Sequence, residues 1–136
     1  MTVQYLEPAQ LATALRHPKS RDRVLVLDVR DEDFIGGHVK GAVNSPSELW
    51  GNEPHVDSLI DQHIAGKADM VVVHCMFSQQ RGPRCALELA RRLEALEQPL
   101  LAPLPQVYVL RGGFTGFVRH YKSESDLVEG FDPKYH

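Results

Sequence analysis

Three short runs of apolar residues recur along the chain, each bounded by polar or turn-forming residues. Runs that do not alternate with polar residues are typical of strands buried on both faces of a parallel sheet. They occupy residues 24–29, 70–74 and 106–110, and weaker strand patterns lie at 42–44 and, as an edge strand, at 4–6. Helical spacing predicts helices over about 8–15, 56–65, 83–96 and 114–121. The alternation predicts an α/β fold with a mainly parallel sheet of about five strands and helices on both faces.

The helix predicted after the strand at 70–74 has the clearest apolar stripe. This stripe consists of Ala86, Leu89, Ala90, Leu93 and Leu96. Pro83 lies in the first turn of the helix, where its missing backbone N–H removes no helical hydrogen bond. The proline-rich segment 98–105 is interpreted as a connection inside the domain, since the strand after it is needed to complete the sheet.

Composition and charge limit the classes of function. The chain has 136 residues, 43% of them hydrophobic and 24% charged, so residues 1–136 are predicted to form a single domain. The net charge of −3 gives no electrostatic reason to expect a nucleic-acid or membrane partner. No apolar run approaches the ~20 residues that span a bilayer, and the first residues lack a signal-peptide pattern. A cytoplasmic location, with the nucleus as an alternative, is therefore expected.

The candidate chemistry lies at the end of the strand predicted over 70–74. A seven-residue loop follows it, made of Cys75, Met76, Phe77, Ser78, Gln79, Gln80 and Arg81. The loop lies at the edge where open α/β sheets bind ligands, and its backbone N–H groups can point inward as an oxyanion nest. The positive end of the following helix favours the thiolate form of Cys75, and Arg81 can clamp two oxygens of the anion. The pattern predicts Cys75 as a nucleophile, with a merely packed thiol as the alternative.

Three supporting residues each have two interpretations. Asp28 ends the first buried strand and can hydrogen-bond the catalytic loop or pair locally with an arginine. His74 can promote the thiolate through its hydrogen bonds or cap the strand. Cys85, ten residues after Cys75, can resolve a modified Cys75 by forming a disulfide or can pack in the core.

The remaining charged and metal-ligating residues carry weaker predictions. The acidic run 31–33 is predicted to form a solvated turn, with a pair between Glu32 and Arg30 as the alternative. The chain has only 2 cysteines and no paired Cys-x-x-Cys spacing, so no metal site is expected.

The stretch 74–84 is similar to the active-site loop of the rhodanese-fold phosphatases, which activate cyclin-dependent kinases, and of the related eukaryotic arsenate reductases. Residues 27–42 resemble the first rhodanese signature, and residues 109–114 resemble the last strand and turn of that fold. This resemblance implies a single rhodanese-like catalytic domain that uses Cys75 and Arg81. The seven-residue loop is similar to those that hold phosphate or arsenate, whereas sulfurtransferases of the fold carry a six-residue loop.

Two loop residues depart from the resemblance. The cell-cycle phosphatases have glutamates where this chain has Met76 and Gln80. Without a loop acid, protonation of a poor leaving group is handicapped, and general acid catalysis typically contributes ~10²–10⁴-fold. Arsenate reduction makes a different demand, because water or hydroxide leaves when the thiolate attacks arsenic, and a loop-borne acid is not an evident requirement there.

The expected function is therefore arsenate reduction to arsenite with accessory phosphatase activity. A small tyrosine or dual-specificity phosphatase is the alternative, and a thiosulfate sulfurtransferase or a non-catalytic binding module is less favoured. The resemblance implies glutathione with glutaredoxin as the external reductant. Expected partners are thus arsenate, phosphate or a phosphate ester, and glutaredoxin.

Overall fold

The computed structural model describes residues 1–96 and 103–136. The strands are β1 (Gln4–Leu6), β2 (Val24–Asp28), β3 (His38–Val39), β4 (Val43–Asn44), β5 (Met70–His74), β6 (Gln106–Leu110) and β7 (Val128–Glu129). The helices are α1 (Pro8–Arg16), α2 (Glu53–Leu59), α3 (Arg81–Ala95) and α4 (Gly113–Tyr121), and a π-helical segment, Ile60–Ile64, continues α2. The connection predicted over 98–105 lies mostly outside the described residues. None of the described helices combines the length and apolar character needed to cross a membrane.

The main sheet has five strands in the order β1-β6-β5-β2-β4, and every neighbouring pair is parallel. This arrangement confirms the predicted sheet. Asp28 at the end of β2 lies opposite His74 at the end of β5. Because the carboxyl ends of adjacent parallel strands meet at one edge, the loops that follow these two residues lie side by side.

Helices cover both faces of the sheet, as predicted. Alternate residues of β5 enter separate apolar clusters, because successive side chains of a strand point to opposite faces. Val71 and Val73 join the cluster that includes α2 and α3 residues, while Val72 joins the cluster with α1 and α4 residues. The domain therefore has an α/β/α core with β5 at its centre.

Helix α3 buries the predicted stripe but begins earlier than predicted. Ala86, Leu89, Ala90 and Leu93 are buried, and Leu96 packs against them. The helix starts at Arg81, which makes Pro83 its third residue. The first helical N–H groups have no intrahelical acceptor, so proline is tolerated there and does not mark the start.

A second, two-stranded sheet was not predicted. Strands β3 and β7 pair antiparallel, and each has only 2 residues, which is too short for a periodic pattern to reveal. The pairing returns the last residues of the chain to the loop after β2. There Asp132 N donates to Gly36 O at 3.0 Å, and the His136 ring Nε2 lies 3.0 Å from the same oxygen.

Candidate active site

Cys75 lies directly after β5, beside the amino-terminal end of α3. Its side chain is buried, with 3% of the residue exposed. The Gly82 backbone N–H, in the first turn of α3, donates to Cys75 Sγ at 3.3 Å. A sulfur that accepts from a helix amino terminus is stabilised as the thiolate, which is the nucleophilic form.

Helix α4 holds the first carbonyls of the cysteine loop. Phe114 N donates to Cys75 O and Thr115 N donates to Met76 O, each at 3.0 Å. Within the described residues, the backbone N–H groups of 76–80 donate to no protein acceptor. The carbonyls are thus satisfied from outside the loop, and the amides remain available to an anion.

A cavity of about 220 Å³ opens at the sulfur and is lined by loop residues. The lining consists of Cys75, Phe77, Gln79, Gln80 and Arg81. Ser78 adopts a left-handed backbone conformation with φ 55°. Its hydroxyl is buried without a hydrogen-bond partner among the described residues, so it braces neither the sulfur nor the backbone by a hydrogen bond.

Arg81 pairs with two carboxylates from the loop after β2. Its Nη1 and Nη2 donate to Asp33 Oδ1 at 2.9 Å and Oδ2 at 2.6 Å, and Nη1 also donates to Asp31 Oδ2 at 3.2 Å. The side chains of Asp31 and Asp33 are 23% and 33% exposed. The acidic turn is therefore solvated at Glu32, as expected, but Asp31 and Asp33 are partly buried because the sheet order places them against Arg81.

These contacts set the protonation of the acidic pair. The hydrogen bond from Arg81 lowers the pKa of Asp33, against an opposing effect of burial. For Asp31 burial acts to raise the pKa, but hydrogen bonds from Ser47, Glu48 N and Arg81 leave it lowered. Both carboxyls are consequently anionic at neutral pH, and Arg81 is held between them.

Asp28 forms a buried ion pair with Arg30, which is the local alternative predicted for it. Arg30 Nη2 donates to Asp28 Oδ2 at 2.6 Å and Nε donates to Oδ1 at 3.0 Å, with both side chains fully buried. The guanidinium also lies 4.2 Å from the centre of the Phe114 ring. The alternative Arg30–Glu32 pair is not formed, because the Arg30 guanidinium donates instead to Asp28 and to the backbone carbonyls of Asp33 and Gly37.

His74 caps the strand from a buried position. Its Nδ1 lies 3.0 Å from Cys75 O, and because a carbonyl only accepts, Nδ1 carries the proton. Nε2 lies 3.7 Å from Asp28 Oδ2 and has no hydrogen-bond partner among the described residues. Burial lowers the pKa of His74, so the ring is neutral and supplies no positive charge to the cysteine.

The buried neutral His74 predicts a pH-dependent stability. Its folded pKa lies below the unfolded value near 6.5, so only the unfolded state takes up a proton as the pH falls through that range. Between pH 7.5 and 5.5 this difference removes at most about 1.4 kcal/mol from the free energy of unfolding, the limit for a folded ring that takes up no proton. We expect His74→Asn, measured by urea unfolding, to lose that part of the pH dependence. The exposed His120→Asn should retain it, and identical slopes in the two variants would contradict the assignment.

Cys85 is a residue of α3 and belongs to the apolar cluster that this helix forms with the sheet. It is fully buried, and burial raises the pKa of its thiol to about 12. A thiol that is hard to ionise attacks slowly at neutral pH, which favours the packed alternative. The resolving role stays a prediction. Within residues 1–96 and 103–136, no cluster of His, Cys, Asp and Glu is arranged to hold a metal ion.

A second cavity of about 460 Å³ adjoins the cysteine cavity and shares Phe77 and Arg81 with it. Its other lining residues are Asp33, Met76, Thr115, Val118, Tyr135 and His136. Asp33, Tyr135 and His136 were not predicted as site residues. For Asp33 a signal existed, since it follows a buried strand, but for the last residues no local pattern indicated where they return.

The parallel sheet with a cysteine loop at its carboxyl edge defines an α/β domain suited to oxyanion chemistry. A family model for the rhodanese-like domain matches residues 8–120. The chain therefore belongs to the rhodanese-like domain family, which confirms the resemblance recognised in the sequence.

Similar proteins narrow the chemistry. The dual specificity phosphatase ibp1 of Schizosaccharomyces pombe is 32% identical over 142 residues, which cover 94% of this chain and 97% of that protein. The structure of Ygr203w, a yeast protein tyrosine phosphatase of the rhodanese family, matches with a TM-score of 0.82 and 29% identity over 98% of this chain and 96% of the other. The As-Sb reductase from Leishmania major matches with a TM-score of 0.76 and 29% identity, over 99% and 91%. These relatives support a cysteine-dependent phosphatase or related oxyanion activity.

Proposed function

We propose that the protein is a phosphatase that hydrolyses phosphate monoesters through a covalent intermediate on Cys75. One observation carries the proposal: Cys75 Sγ accepts from the amino terminus of α3, inside a loop whose backbone N–H groups at 76–80 have no acceptor within the described part of the chain. Two relatives named as phosphatases, which match over nearly their whole lengths, support the same chemistry.

In the proposed reaction, the Cys75 thiolate attacks phosphorus and displaces the ester oxygen. The loop amides and the guanidinium of Arg81 stabilise the charge on the equatorial phosphoryl oxygens as the transition state forms. Water then attacks the phosphocysteine, releasing phosphate and regenerating the thiolate. The rate enhancement comes from placing the nucleophile and the donors around one tetrahedral anion.

Arsenate reduction is the second candidate. Arsenate is a tetrahedral oxyanion like phosphate, and the similarity to the Leishmania major As-Sb reductase supports it. In this reaction the Cys75 thiolate displaces water or hydroxide from arsenic, and attack by an external thiol then yields a disulfide and arsenite. Glutathione with glutaredoxin is the proposed reductant.

The order of the two candidates follows from the acidic pair. Met76 and Gln80 favour arsenate only as long as the site lacks another acid. Asp31 and Asp33, which reach the site from another loop, supply carboxyl groups there after all. Ester hydrolysis therefore no longer lacks a nearby carboxyl group, and we place it first.

A side-by-side assay tests the proposal. The purified protein is offered p-nitrophenyl phosphate and a tyrosine-phosphorylated peptide, arsenate with glutathione and glutaredoxin, and thiosulfate with cyanide. We expect phosphate release from the esters. Arsenite release alone would support the reductase, and formation of thiocyanate would support the sulfurtransferase. Absence of turnover in every assay would support a binding module.

A further inference from the structure

The acidic partners of Arg81 can do more than hold it in place. We propose that Asp33 is the proton donor to the leaving group, and that Arg81 controls it by pairing with Asp33 until the substrate oxyanion takes the guanidinium. The inference rests on the phosphatase activity proposed above. It assigns the missing acid function to a residue outside the cysteine loop.

The two acids that contact Arg81 differ in their other partners. Among the residues that the structure describes, Asp33 Oδ2 accepts only from Arg81 Nη2, at 2.6 Å, while Oδ1 accepts from Arg81 Nη1 and from Asp31 N at 3.0 Å. Asp31 is also bound by Ser47 Oγ at 2.6 Å and Glu48 N at 3.1 Å. When Arg81 turns to an anion, Asp33 Oδ2 loses its partner among the described residues, whereas Asp31 keeps two donors. Of the two carboxylates, Asp33 is thus the one that can take up a proton when the substrate binds.

The pairing is open to a substrate. The side chains of Arg81 and Asp33 are 31% and 33% exposed, so an anion can reach the guanidinium from solvent. A phosphoryl dianion beside Cys75 offers Arg81 a bidentate partner of higher charge that also contacts the loop amides. Arg81 therefore has an anionic partner both before and after the substrate binds.

The position of Asp33 fits the leaving group. Asp33 lines the 460 Å³ cavity, which shares Phe77 and Arg81 with the cavity at Cys75. A substrate with its phosphoryl group at Cys75 would extend its organic group into this neighbouring cavity. The side chains of Met76, Phe77, Val118 and Tyr135 give that cavity an apolar lining, which suits an aryl group. The ester oxygen would then lie where the two cavities meet, beside Asp33.

The charges around Asp33 change in one direction when substrate binds. Arg81 from α3 now lowers the pKa of Asp33, and Asp31 is the neighbouring carboxylate. The cysteine loop contributes Cys75, and the end of the chain contributes Tyr135 and His136 to the same cavity wall. An incoming dianion draws Arg81 away and adds negative charge, and both effects raise the pKa of Asp33. Asp33 then takes a proton from solvent.

The proton balance of the reaction is complete with this residue. As the S–P bond forms, the P–O bond to the leaving group breaks and the Asp33 proton moves to the departing oxygen, giving a neutral alcohol. In the second step water attacks phosphorus, its proton passes to the Asp33 carboxylate, and the S–P bond breaks to return the Cys75 thiolate. The net reaction is ester plus water to alcohol plus phosphate.

The test compares substrates with good and poor leaving groups. For each variant, kcat/KM is measured on a series of aryl phosphates from p-nitrophenyl phosphate to phenyl phosphate. General acid catalysis contributes about 10²–10⁴-fold, so we expect Asp33→Asn to lose about that factor on phenyl phosphate and much less on p-nitrophenyl phosphate. The plot of log kcat/KM against leaving-group pKa should become steeper, and Asp33→Glu, which keeps a carboxyl group, should restore a shallow slope.

Neighbouring carboxylates provide matched controls. Glu32→Gln makes the same chemical change at an exposed residue and should match the wild type. Asp31→Asn, which disturbs Arg81 without removing the donor, should lower all substrates by one factor and keep the wild-type slope. An unchanged slope in Asp33→Asn would overturn the inference and leave the phosphatase activity standing. Absence of hydrolysis by the wild type would instead remove the proposed function.

Discussion

Cys75→Ser is expected to abolish phosphate ester hydrolysis while leaving the protein folded. Serine is close to cysteine in size, and its oxygen can accept from Gly82 N as the sulfur does at 3.3 Å. The hydroxyl, however, does not ionise at neutral pH even at a helix amino terminus, so the nucleophile is lost. In a well-studied hydrolase, removal of the nucleophile lowers kcat on the order of 10⁶-fold. We expect a loss of that order, or activity below detection.

The measurement is p-nitrophenyl phosphate turnover, with urea unfolding to establish that the variant is folded. Cys85→Ala is the matched control, because this buried cysteine has no part in hydrolysis and its loss should leave kcat/KM nearly unchanged. Substantial turnover by a folded Cys75→Ser protein would refute the nucleophile assignment. Loss of arsenate reduction alone in Cys85→Ala would assign that residue the resolving role.

The cysteine loop was predictable because its chemistry is local in sequence. A buried strand, the thiol, the arginine and the following amphipathic helix all fall within residues 70–96. Strand and helix patterns each arise from side-chain periodicity, which a single sequence displays directly. The five-stranded sheet and the burial of Leu89 and Leu93 followed from the same signals.

The contacts of Arg81 could not be predicted, because they depend on strand order. Asp33 lies 48 positions before Arg81 in the chain, and the two meet only because β2 pairs with β5. The sequence does not state which strands are neighbours, so an acidic turn after a strand is indistinguishable from a solvated one. The return of Tyr135 and His136 to the site has the same origin, since it depends on the short β3–β7 pairing.

Gly113 links helix α4 to the cysteine loop at a distance that admits no side chain. Its φ is +61°, and a Cβ there would lie 2.5 Å from Met76 O and 2.6 Å from Cys75 O. These are the carbonyls that accept from Thr115 N and Phe114 N. A side chain at this position must therefore separate α4 from the loop and disturb the hydrogen bonds that shape it.

Gly113→Ala should consequently impair both stability and activity. A left-handed backbone costs an alanine roughly 1–2 kcal/mol, and overpacking typically adds about 1–3 kcal/mol. A displacement of about 1 Å at a catalytic centre can cost ~10²-fold in rate, so we expect a loss of that order in kcat/KM. Urea unfolding and p-nitrophenyl phosphate turnover measure the two effects.

Gly41→Ala separates the close contact from the backbone strain. Gly41 has a similar φ of +77°, but nothing lies within 4 Å of a Cβ at that position. Its alanine variant should therefore show the backbone cost alone and retain the activity of the wild type. If Gly113→Ala instead matched Gly41→Ala in both measurements, α4 would not be what holds the cysteine loop, and the shape of the loop would have to come from its own residues and from α3.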